Sequence, residues 1–504
     1  MPSTRSARRP ARSPVALAAL AALTVILLAA CGGSSDGGYA TEPPPPVAEE
    51  TREHDSRVFT PDVASTTFAA LVPDAGDATD VTNTSRWAGV IDGAAYRVEV
   101  PANWNGRLVM YAHGYAGTGA ALAVQNPSIR RHLVDSGYAW AASSYRANYY
   151  DVRAGVEDTN ALALAFNRIA EAAGRPLPAP ERTYIIGHSM GGHIAGAAVE
   201  AETLATAVNR YAYHGAVPMC GVMGDTALFD TFAAVQAAAQ VLAGRADHPT
   251  ADWTGIVGPV TAALFSSFPN PAAPTAPIVP TEAGLPFVAV LQNLTGGPRP
   301  MFDLGLNFGG SFPFMWGNLG GDGTINGILN RNVLDTQGVV YTIDGQPDAS
   351  AALNAAAPRF VAEPDANRLR TDGLRWIPQV AGTFSVPVVS IHTLGDLFVP
   401  FNMQQVYAQR AAANGSSGML VQRAIRGVSH CDFTVAEQVR AFEDMVAWEQ
   451  GGDKPAGDDV LDPATVGAAD YGCRFTDNTL GADDGSTTRA LRPAAAALRP
   501  CPGG

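Results

Sequence analysis

The residues best suited to chemistry lie in the run Arg182-Thr183-Tyr184-Ile185-Ile186-Gly187-His188-Ser189-Met190-Gly191-Gly192-His193. A β-branched and aromatic segment leads into Gly-His-Ser-Met-Gly, and a run rich in small residues, 194–199, follows. Strand, tight turn and closely packed helix together hold a serine exposed at the end of a strand. Gly187 and Gly191 remove side chains that would collide across such a turn. The pattern Gly-x-Ser-x-Gly recurs at Gly33 to Gly37, but in polar, turn-rich sequence with no strand before it, so that copy is set aside. A serine hydroxyl becomes a nucleophile only when a base takes its proton. His430 and Asp396 can supply the base and the acid that orients it, because each also follows a predicted strand. Asp225, after an earlier strand, is the rival acid. Asp432 is too close to His430 in sequence, and His392 reads as a packed residue of its strand.

These groups converge only if the elements before them form one sheet. Ala95 to Pro101 alternates apolar and polar residues, as a half-exposed first strand would. Arg107 to Ala112 is continuously apolar, as in a strand covered on both faces, and it delivers His113-Gly114-Tyr115. The side chain of His113 is read as ordering that loop. A helix over Ile129 to Ser136, a strand over Tyr138 to Ser143, a helix over Val156 to Ala173 and a strand over His214 to Gly221 follow. This alternation predicts an α/β fold with a doubly wound, mostly parallel sheet.

The rhythm stops at 225–384. So long an insertion, holding Phe308, Phe312, Phe314, Met315 and Trp316, predicts a cap or lid over the carboxyl edge of the sheet, where ligands bind. Its aromatics would build an apolar pocket, although most are expected to form the cap's own core. The sheet resumes over Val386 to Ile391 and Met419 to Ile425, with helices over Gln404 to Ala413 and Val435 to Gln450. Residues 81–224 and 385–450 are thus the two parts of the core, and 451–504 reads as an extended tail pinned to the surface.

The order Ser189, Asp396, His430, each after a strand, resembles the α/β-hydrolase superfamily, whose triad runs serine, acid, histidine along the chain. The resemblance covers roughly Arg86 to Gly224 and Ser385 to Gln450. It implies Asp396 as the acid, since the turn after the penultimate strand is the usual place, and an oxyanion hole from the backbone amides of Tyr115 and Met190. It implies a serine esterase. Tannases and feruloyl esterases of this superfamily carry linked cysteines just before the serine and just after the histidine. Here Cys431 follows His430 but His188 precedes Ser189, so the match to them is half made. Superfamily members that dehalogenate alkanes or open epoxides use an aspartate nucleophile, which Ser189 does not offer.

Composition sets the compartment. The chain has 504 residues, a net charge of -14 and one lysine, Lys454, which argues against a nucleic-acid partner. Arg5, Arg8, Arg9 and Arg12 precede an apolar run from Val15 to Ala30 that ends at Cys31. This reads as a lipoprotein signal peptide over 1–30 with Cys31 as the acylated anchor to a bacterial membrane. A Gly-, Ser- and Pro-rich tether over 31–80 follows. In an oxidising compartment Cys220, Cys431, Cys473 and Cys501 can pair in three ways. Cys431–Cys473 is preferred, because it would clip the tail near the site. No spacing suggests a metal site, and no cofactor is expected. The expected substrate is a small-molecule or oligomeric ester with an apolar or aromatic part. An amidase or polyester-oligomer hydrolase with the same triad is the alternative, and a non-catalytic surface binding protein of the same fold is the reading from another class.

Overall fold

The computed structural model describes residues 48–62, 66–247, 252–273, 275–308, 311–317 and 319–502. The signal-like segment, Cys31 and the Pro-rich run lie outside them. Everything below belongs to one compact unit that begins at Glu49.

Eight strands make the central sheet: β1 (Thr84–Ile91), β2 (Ala94–Pro101), β3 (Arg107–Ala112), β4 (Ala139–Ser143), β5 (Arg182–His188), β6 (Gly215–Met219), β7 (Val388–Thr393) and β8 (Leu420–Ile425). Their spatial order is β1-β2-β4-β3-β5-β6-β7-β8. β2 runs antiparallel to both β1 and β4, and all other pairs are parallel. The helices used below are α1 (Arg130–Asp135), α2 (Val152–Ala172), α3 (Met190–Ala198), α4 (Ala227–Leu242), α5 (Phe302–Phe308), α6 (Asn402–Ala413), α7 (Val435–Glu449) and α8 (Ser486–Leu498). This is the doubly wound α/β-hydrolase fold.

The period-2 alternation of strand side chains sorts the core into two layers. Leu108, Met110, Ala141 and Ile185 face α2, α3, α6 and the cap. Val109, Tyr111, Trp140 and Ile186 face α1 and α7. Because both faces are covered, the central strands read as unbroken apolar runs in the sequence. α7 starts on a capping box, with Thr434 and Glu437 each accepting the other's backbone N–H.

Four expectations need correction. Ala94–Pro101 is the second strand, since β1 pairs beside it as the edge. β1 escapes notice because its residues are nearly all half-buried, which leaves no clean alternation. The tether does not extend to residue 80. Arg52 is buried and bonded to Asp151 (2.7 Å), and Thr60–Pro61 pairs with Ala121–Leu122. The tail is not extended throughout, because it contains a short helix, Pro463–Val466, and α8. Cys431 does not pair with Cys473; the bonds are Cys220–Cys431 and Cys473–Cys501.

In the cap, α4 is buried almost all round. Phe287 and Phe312 pack on Trp316 with centroids 5.4 and 5.1 Å apart. Among the described residues no helix is long and apolar enough to cross a membrane.

Candidate active site

Ser189 sits between β5 and α3 with φ 58° and ψ -122°, a strained conformation for a residue with a side chain. The crowding around it explains the flanking glycines. A Cβ on Gly187 would lie 2.1 Å from the Gly191 carbonyl oxygen, and one on Gly191 would lie 2.0 Å from that of Ala112. No other residue fits either place.

Asp396 and His430 come from the turns after β7 and β8. His430 Nε2 is 2.8 Å from Ser189 Oγ, and His430 Nδ1 is 2.6 Å from Asp396 Oδ2. The three side chains, drawn from positions up to 241 residues apart, thus form one hydrogen-bonded chain. Asp396 is fully buried, and its Oδ1 accepts the amides of Phe398 (2.9 Å) and Val399 (3.0 Å). Those two amides fix the carboxylate, which faces Nδ1 of the imidazole and leaves Nε2 turned to Ser189.

The other acids lie elsewhere. Asp225 accepts from Arg410 (2.5 Å) and from the Val380 amide (3.0 Å). Asp432 turns its carboxylate to the Val428 amide (3.1 Å). His392 donates to the Val399 carbonyl (2.7 Å), and burial holds its imidazole below the usual histidine range. It is a packed residue of its strand.

The His113-Gly114-Tyr115 loop lies against Ser189. A Cβ on Gly114 would come within 3.2 Å of Ser189 Cβ. The amides of Tyr115 and Met190 have no protein acceptor among the described residues. Met190 opens α3, so its N–H is one of the free donors of a helix start. His113 stacks on Tyr145 at 4.2 Å and lies within hydrogen-bond distance of the Gly114 carbonyl (2.7 Å). Burial pushes its imidazole down.

Several neighbours were not legible in the sequence. The cap reaches the acid turn, with the Leu397 amide donating to Ser311 Oγ (3.0 Å) and Arg299 Nε to the Leu394 carbonyl (2.8 Å). It also reaches the glycine loop, where Asn326 Nδ2 donates to the Tyr115 hydroxyl (2.7 Å). Phe398 lies edge-on to the His430 ring at 5.1 Å and stacks on Phe314 of the cap at 4.5 Å. His188 Nε2 bonds Gln438 of α7 (2.9 Å), and burial pushes the His188 imidazole down to about 4. Cys220, at the end of β6, ties the residue after His430 back to the sheet. The partner is neither the expected Cys473 nor a residue beside Ser189 in the chain. Cys220, His430 and Cys431 cluster tightly, yet the disulfide leaves neither sulfur as a thiolate ligand.

No protein-family model matches the chain. The chain is similar to the o-phthalyl amidase of Xanthobacter agilis, with 27% identity over 123 residues, 24% of each chain. The alignment thus spans about a quarter of that relative's length. Among solved structures it is similar to feruloyl esterase B from Aspergillus oryzae, at 14% identity and TM-score 0.36 over 79% of this chain and 89% of that one. For Thermogutta terrifontis esterase 2 the values are 13% and 0.34 over 74% and 97%. For the acylaminoacyl peptidase of Pyrococcus horikoshii they are 10% and 0.34 over 75% and 43%, so under half of that chain is spanned. Likenesses this faint add nothing to the strand order already described.

Proposed function

We propose that the chain is a serine hydrolase of carboxylic esters, with Ser189 as nucleophile, His430 as general base and Asp396 as the orienting acid. The observation that carries this reading is the unbroken chain of hydrogen bonds from Ser189 Oγ through the imidazole to Asp396, ending on a serine held at strained φ/ψ.

Ser189 Oγ attacks the ester carbonyl while His430 Nε2 takes its proton. The carbonyl oxygen becomes an oxyanion, held by the amides of Tyr115 and Met190, each worth about 3 kcal/mol in the transition state. The imidazolium is stabilised by Asp396 and hands its proton to the leaving alkoxide. Water, deprotonated by the same imidazole, then attacks the acyl-enzyme and restores Ser189.

The substrate side is apolar and aromatic. Phe398 borders the base, and Phe314, stacked on it, stays 55% exposed, leaving an aromatic face open beside the reacting atoms. The ester is therefore expected to carry an apolar or aryl part. The amidase reading keeps one support, the partial likeness to a protein named for o-phthalyl amide cleavage. Aryl amides and oligoesters assayed beside aryl esters separate the readings. We further propose that the protein is exported and lipid-anchored through Cys31, which mass spectrometry of the mature N-terminus would test.

Ser189→Ala is expected to abolish release of p-nitrophenol from short-chain esters, a loss on the order of 10⁴-fold or more. Undiminished turnover would reject the mechanism. A fluorophosphonate probe should label the wild type at Ser189, whereas a non-catalytic binding protein would stay unlabelled.

A further inference from the structure

We propose that Arg492, from the C-terminal segment, is a positioning residue for His430. This rests on reading His430 as the general base.

His430 stands on the loop 426–434 between β8 and α7. That loop makes few bonds of its own. The Asp432 carboxylate reaches back to the Val428 amide (3.1 Å), and the Ser429 carbonyl accepts from Thr393 Oγ1 (2.9 Å). The Cys220–Cys431 disulfide and the Gly395 amide, which donates to the Gly427 carbonyl (2.9 Å), tie it to the core, and the other support comes from beyond residue 468. Arg492, fully buried on α8, donates through Nη2 to the Asp432 carbonyl (2.6 Å) and to Glu437 Oε2 (2.7 Å). Its Nη1 donates to Glu437 Oε1 (2.9 Å) and Asn478 Oδ1 (3.1 Å), and Nε lies 3.6 Å from Asp432 Oδ2.

One planar guanidinium thus ties the limb of the loop after His430 to the first turn of the helix that follows. The limb before His430 is held the same way. The Arg426 amide donates to Thr476 Oγ1 (2.8 Å), and its guanidinium donates to the carbonyls of Tyr471 (3.1 Å) and Arg499 (3.0 Å). The imidazole must stay within a few tenths of an ångström of two partners on two other loops, so rigidity of its own loop sets its aim. Lysine cannot replace arginine here, because a single ammonium lacks the fork that spans Glu437 and Asp432 together.

The test compares Arg492→Lys and Arg492→Met with the wild-type chain. The first readout is the downfield proton resonance of the His430 Nδ1–H···Asp396 bond, assigned by its loss in His430→Gln. The second is kcat and KM for a p-nitrophenyl ester. Both variants, where folded by circular dichroism, are expected to shift or broaden the resonance. They should lower kcat roughly 10- to 100-fold with KM unchanged, and Arg492→Met should be the worse of the two. If Arg492→Met does not fold, Arg492→Lys decides, since it keeps a cation for Glu437 but loses the bridge to Asp432. A folded variant with the wild-type resonance and kcat overturns the proposal, because a purely structural role would lower only the unfolding midpoint. If the wild type neither turns over esters nor takes the fluorophosphonate, the esterase reading fails, while a resonance that still moves with Arg492 upholds the positioning role.

Discussion

The cap and the C-terminal segment both lie outside the eight-stranded core, and each sends one buried arginine towards the triad. They do so on different terms. Arg299 of the cap bonds neutral oxygens, namely the carbonyls of Leu394 and Gly297 and the hydroxyl of Thr295. The carboxylate whose field it feels is Asp396, and burial pushes its guanidinium down. Arg492 of the C-terminal segment is locked between carboxylates, bidentate on Glu437 and beside Asp432. One arginine fastens backbone to backbone near the acid. The other neutralises buried charge behind the base. A region that looks dispensable in sequence thus makes charged contacts beside the His430 loop, whereas one that looks functional bonds only neutral oxygens beside Asp396.

Removing the two arginines in turn would sharpen this contrast. Arg492→Met strands two buried carboxylates and is expected to destabilise the fold by about 3–5 kcal/mol. Arg299→Met leaves carbonyl groups short of a donor and should remove about 1–3 kcal/mol. Urea unfolding of both variants measures the difference, and equal losses would break the contrast.

Acid should strike the side braced by the C-terminal segment. His188 bonds α7 through Gln438, and burial brings its imidazole to about 4, below the free value near 6.5. Between those values the unfolded chain binds the proton and the folded chain does not, so stability falls as pH drops from about 6.5 to about 4 and is unaffected above. His188→Asn should remove about 3 kcal/mol of that pH dependence between pH 7 and pH 4. Unfolding free energies of the two proteins that stay parallel from pH 7 to pH 4 would refute it.

The smallest effect belongs to the cap. Phe314→Ala should raise KM for aryl esters several-fold, about 1 kcal/mol of lost stacking, and leave methyl and ethyl esters of short acids alone. An equal change across both series would mean that Phe314 shapes the cap and does not meet the substrate.

Legibility in the sequence followed the range of the interaction. β3 and β5 were readable because burial on both faces writes an apolar run into each, and β7 and β8 because β-branched and aliphatic residues open and close them. Ser189, Asp396 and His430 were readable because each directly follows such a run, so a parallel sheet must deliver them to one edge. β1 was lost for want of alternation. The cysteine partners were out of reach because pairing depends on where loops meet, and Cys220 and Cys431 are 211 residues apart. Arg492 was invisible for a similar reason. It sits in Ala-Leu-Arg-Pro-Ala text that reads like any solvated helix, and only the carboxylates waiting for it give it meaning.

The Cys473–Cys501 bond joins the C-terminal segment to itself, not to the core. Its covalent hold on the rest of the molecule is therefore the backbone alone, which crosses an exposed stretch at 451–454. One proteolytic nick there would turn the segment packed behind the His430 loop into a separate, disulfide-looped peptide. Its grip would then depend on concentration and not on connection, and the proposed esterase activity would fade on dilution although Ser189, Asp396 and His430 remained in one piece.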